Sequence, residues 1–111
     1  MSTRDFDTSH LKGKAKEAAD LIVTHIRDTF DHEPDGGGCK AFWTPKEWKA
    51  KGENYGRDSV LVLCHDGGDL GPFFSYDYEA YTLMDQMRDK LAAIGLYPEQ
   101  CTGWYTALYE L

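Results

Sequence analysis

The sequence predicts a single α+β domain: a mainly antiparallel sheet of about four strands, with two long helices on one face and one short helix. Three observations carry this. Apolar residues recur at three- and four-residue steps over 10–30 and over 78–94, each time as one stripe. Short runs rich in β-branched and aromatic residues lie between and after those segments. Glycine and proline separate the two kinds of segment.

The first helix is expected from about His10 to Phe30, burying Leu11, Ala15, Ala18, Ile22, Ile26 and Phe30, with Ser9 as its cap. Residues 1–9 read as a frayed lead-in, and Gly13 as a weak first turn. Pro34 and the glycines at 36–38 end the helix in a linker, 34–38. Cys39 to Trp43 reads as a strand. Thr44-Pro45-Lys46-Glu47 then carries helix-start chemistry: a capping threonine, proline at the first helical position, and a glutamate able to reach back. Gly52 keeps that helix short.

Val60 to Cys64 is a continuous apolar run and reads as a central strand. The turn signal at 65–69 suggests a hairpin returning through Phe73 to Tyr76, with Pro72 at its start or edge. The second long helix is expected from Tyr78 to Ile94, capped by Asp77 and stopped by Gly95. Its stripe is Ala80, Leu83, Met84, Met87, Leu91 and Ile94. Gly103 to Leu111 alternates as a final strand. At a sheet edge, it would offer a route to a homodimer by strand pairing.

A chain of 111 residues with 41% apolar and 14% aromatic content supplies one core and excludes general disorder. No apolar run approaches the length of a membrane span, and the polar first ten residues do not read as a secretory signal. Three widely spaced cysteines suit a reducing, cytoplasmic setting better than a disulfide framework.

No CxxC, HxxxH or HExxH spacing occurs, so neither metal nor cofactor is expected. Cys64-His65-Asp66, with Asp69 across the turn, is the one cluster that could serve a small Cys/His or metal-dependent hydrolase. Strand geometry opposes it, because neighbouring side chains point to opposite faces. The plainer expectation is Cys64 as a buried hydrophobe and His65 as a surface turn residue. His25 reads as a boundary histidine of the first helix.

Charge is the most informative feature. The net charge of −7 divides into −3 over residues 1–35, +2 over 36–58 and −6 over 59–111. On a helix beginning at Tyr78, that tyrosine, Asp85 and Asp89 would share the face opposite the apolar stripe. With Glu79 and the turn pair Asp66 and Asp69, they form a candidate surface for a basic partner. Residues 40–57 are the opposite pole. Trp43, Lys46, Trp48 and Lys49 interleave charge and rings, as single-strand binders do, although the net charge opposes nucleic acid and tryptophan commonly closes a core.

In overall character the chain resembles the small inhibitor proteins of phages and mobile elements, the anti-CRISPR and antirestriction groups. The resemblance rests on the acidic stretch from Asp66 to Asp89 with Tyr76, Tyr78 and Tyr81. It implies stoichiometric, non-enzymatic binding to a basic protein or nucleoprotein effector. It assigns no residue by motif.

Overall fold

Strands β1 (Phe42–Trp43), β2 (Leu61–Cys64), β3 (Leu96–Gln100) and β4 (Tyr105–Glu110) form one antiparallel sheet in the order β1-β2-β4-β3. The computed structural model describes residues 6–34, 40–52, 58–65 and 68–111. The expectations that fall on residues 1–5, the glycines at 36–38, Cys39, the 53–57 end of the basic pole and Asp66 lie outside the described residues.

Register sorts the strand residues onto two faces. Phe42 pairs with Leu63, Leu63 with Thr106, and Leu61 with Leu108, so these share one face with Leu96. Helices α1 (Gly13–Phe30), α3 (Gly71–Phe74) and α4 (Tyr81–Ala92) close that face. Ala18, Ile22 and Ile26 of α1 are fully buried against it, as are Met87 and Leu91 of α4. Both predicted apolar stripes therefore meet the sheet.

The second face carries Trp43, Val62 and Tyr105, and helix α2 (Pro45–Ala50) covers it through Trp48. Trp48 is fully buried, edge-on to Tyr105 at 4.8 Å and beside Trp104 at 5.6 Å. The domain thus has a main core and a smaller aromatic one, on opposite sides of one sheet.

The start of α2 forms as its sequence predicts. Thr44 Oγ1 accepts from the Glu47 amide at 3.1 Å, and the Glu47 carboxylate accepts from the Thr44 amide at 2.9 Å. Burial pushes the Glu47 carboxyl up, but the Thr44 amide and the Lys40 ammonium at 3.0 Å outweigh it and hold it below its ordinary 4.5. The carboxylate therefore stabilises the fold above that ordinary value, and the contribution is lost as pH falls through the lowered one. Glu47→Gln is expected to flatten the fall in urea-unfolding stability as pH drops below that ordinary value. Thr44→Ala should cost about 1 kcal/mol at neutral pH.

Several expectations are corrected. Phe73 and Phe74 do not return as a strand; they lie in α3, where Phe73 meets Phe30 at 5.3 Å and His25 at 5.7 Å. The fourth strand is instead β3, just beyond Gly95. Strand β4 is interior, between β2 and β3, so the proposed dimer route through the final strand is closed. The longer edge is β3, and it carries Pro98 and Glu99, which discourage pairing with another chain. Within the lead-in, Phe6 is buried, edge-on to Phe42, and just after it His10 Nε2 lies 3.1 Å from the Phe42 carbonyl. Ser9 does not cap α1, whose cap position is Lys12; Gly13 turns the chain into the helix at φ 57, which glycine adopts without steric cost.

Candidate functional site

The segment expected to open the second helix is divided in two. Residues Tyr76–Tyr78 form a separate 3-10 turn, capped by Ser75, whose Oγ accepts from the Asp77 amide at 3.3 Å. Glu79 follows in the left-handed conformation at φ 54, and α4 starts only at Tyr81, without a side-chain cap. Asp77 therefore does not cap α4. Tyr78 shares no helical face with Asp85 and Asp89, because the chain reverses at Glu79 between them.

Tyr76, Tyr78 and Tyr81 are nevertheless about half exposed, at 52%, 48% and 54%. Asp77, Glu79, Asp85 and Asp89 are exposed around and after them. The turn is braced from three sides. The Tyr76 amide donates to Gln100 Oε1 at 3.0 Å, and the Arg88 guanidinium donates to the Tyr76 hydroxyl at 3.2 Å. The Tyr78 ring lies over Gly71, where an added Cβ would stand 2.5 Å from Cζ. Gly71 has a function in this packing: it leaves space for the ring. Gly71→Ala is expected to swing the Tyr78 ring away, read as a change in its ring NMR shifts, while changing stability by less than about 1 kcal/mol, because the displaced group is a surface side chain.

Asp69 stands apart from this surface. It is half-buried, and its carboxylate lies 3.9 Å from His32 Nδ1, beyond the end of α1. Tyr78, Glu79, Asp85 and Asp89 are all exposed, the first two at the end of the 3-10 turn and the last two on α4, and Tyr76 and Tyr81 are exposed on the same stretch of chain. Those two are among the tyrosines on which the resemblance in the sequence rests.

The hydrolase cluster does not assemble among its described members. Cys64 pairs across the sheet with Tyr105 on the aromatic face. His65 is 2% exposed and is hydrogen-bonded through Nε2 to Thr106 Oγ1 at 2.9 Å, on the opposite face. The expected surface histidine is a core residue. Among the described residues, no three His, Cys, Asp or Glu side chains converge as a metal site.

The 40–57 pole keeps its lysines outside and loses one ring to the core. Lys46 and Lys49 are exposed, Trp43 is half-buried, and Trp48 has no exposed face on which a base could stack. A further groove of about 450 Å³ runs between α1 and the end of α4, past Asp20, Thr24, His25, Asp28 and Lys90. Burial and the Lys90 charge lower the His25 pKa from its ordinary 6.5, so its ring is neutral at pH 7.

No protein-family model matches this chain, and no curated protein or solved structure is significantly similar to it. Among the described residues, no helix is long and apolar enough to cross a membrane.

Proposed function

We propose that this chain is a non-enzymatic binding protein. In this reading it is a stoichiometric inhibitor that docks its acidic tyrosine face on a basic, nucleic-acid-handling effector, in the manner of anti-CRISPR proteins. One observation carries the reading: three of the exposed large side chains, Tyr76, Tyr78 and Tyr81, fall within six residues and are interleaved with carboxylates. Tyrosine combines a large apolar area with a polar tip and is enriched where binding energy concentrates. The carboxylates supply charge complementarity and fast encounter with a basic surface. Arg88 and Gln100 hold the turn in place, so little ordering is required on binding. We place the chain in a reducing, cytoplasmic setting, which three widely spaced cysteines suit better than a disulfide framework.

The experiment is affinity capture from nuclease-treated cell lysate with the native chain and with Asp85→Lys/Asp89→Lys, eluted by a salt gradient. The reading predicts one stoichiometric basic protein, held by the native chain, released as salt rises and absent from the variant. Equal capture by the two chains would reject it.

A further inference from the structure

We propose that Trp43, flanked by Lys40 and Lys51, is a binding site for a nucleotide unit, with the base stacked on the indole and the phosphate held by the two ammonium groups. This goes beyond the acidic-face reading and uses the other side of the sheet, where α2 packs rather than α4. Either proposal can fail without the other.

The indole is fixed before any ligand arrives. Its Nε1 donates to the Lys40 carbonyl at 2.9 Å, and Trp48 braces it edge-on at 5.4 Å. A ring held on two sides loses little freedom when a planar ligand stacks on it. Trp43 also stands on β1, an edge strand, and remains half-buried rather than enclosed.

Two cations converge on this one ring. The Lys40 and Lys51 ammonium groups lie 4.4 and 4.7 Å from its centroid. Like charges this close to a common point repel each other, and a bound anion would relieve that repulsion. Lys40 is shared with Glu47 at 3.0 Å, whereas Lys51 has no carboxylate partner among the described residues. Exposed Lys46 and Lys49 extend the basic surface along α2. A planar base can replace an ammonium group over the indole, because both interact with its π face. The flexible lysine stems then turn their charges to the phosphate.

Neither an acidic peptide nor a bare anion uses the whole arrangement. A peptide carboxylate would leave the indole face without a stacked partner, and inorganic phosphate would leave it empty. A nucleotide fills both parts. The same chemistry is offered by a free nucleotide and by one residue of a single strand.

The test follows the Trp43 indole N–H by NMR in the full chain during titration with AMP, a thymidine decamer and inorganic phosphate. Saturable movement of the Trp43 resonance by AMP or the decamer, larger than that of the Trp48 indole, whose ring touches both Trp43 and Lys51, is the expected result. Comparable affinity for AMP and the decamer identifies a free nucleotide as the source; a much tighter decamer, weakening steeply with salt, identifies a strand. Lys51→Glu, at an exposed position that leaves the fold intact, should weaken binding about tenfold, and Trp43→Ala at least as much. No saturable shift with AMP or the decamer would overturn the proposal. So would an equal shift with inorganic phosphate, or undiminished binding by Lys51→Glu.

Discussion

Replacing Trp48 by alanine is expected to remove about 3–5 kcal/mol of stability, the range for deleting a buried large aromatic. For a domain whose whole margin is about 5–15 kcal/mol, that brings the chain close to unfolding at room temperature. The reason is architectural. Helix α2 spans only Pro45–Ala50, and Trp48 is its sole buried side chain. That one ring covers Val62 and Tyr105 on the second face of the sheet and supports Trp43 and Trp104 around it. Among the described residues the Trp48 indole N–H has no hydrogen-bond partner, so the expected loss is mainly one of packing. Urea unfolding of the purified variant measures it directly. A loss below about 1 kcal/mol would mean that the second core contributes little.

The Asp85→Lys/Asp89→Lys variant should behave in the opposite way. Both positions are exposed on α4, four residues apart, and the pair is like-charged before and after the change, so its weak repulsion is unaltered. Asp89 also sits in the last turn of α4, where a cation is favoured by the helix dipole. Stability is therefore expected to change by less than about 0.5 kcal/mol, with any change in the stabilising direction. Partner binding should weaken by about 2 kcal/mol or more, roughly thirtyfold, since the reversed charges meet a basic surface. Calorimetry with the captured partner measures the binding, and thermal unfolding measures the stability. Loss of both together would trace the effect to the fold rather than to the face.

The elements that were legible in the sequence are those stabilised locally. The Thr44–Glu47 capping box needs only its own four residues, so its pattern predicts its geometry. The stripes of α1 and α4 are periodic over several turns, and both pack as their spacing requires. The α+β class and an antiparallel sheet of four strands were legible from these and from the runs at 39–43, 60–64 and 103–111, with the fourth strand misplaced at 73–76.

What was not legible is decided by distant contacts. Phe73 and Phe74 form a helical turn because α1 offers Phe30 and His25 to pack against, though Gly71-Pro72 does suit a helix start. Strand β3 was hidden by Gly95 and Pro98, which read as a helix stop; Pro98 is tolerated there because β3 is an edge. His65 is buried because Thr106, on a neighbouring strand, accepts or donates to its ring. The candidate face was legible in composition and not in shape. Glu79 enters the left-handed region without being glycine, and nothing in its neighbours announces that reversal. The same four residues remain on the surface, but as a turn followed by a helix.

The most direct measurement is site-specific photo-crosslinking in lysate, with a photoreactive phenylalanine at position 81 and, separately, at position 24. Both side chains are exposed, Tyr81 on the acidic tyrosine face and Thr24 on α1. The account predicts that position 81 yields one dominant adduct with a basic protein, suppressed by salt and by Asp85→Lys/Asp89→Lys, and that position 24 yields none. The same adduct from position 24 alone, or none from position 81 while the partner is captured, would contradict it.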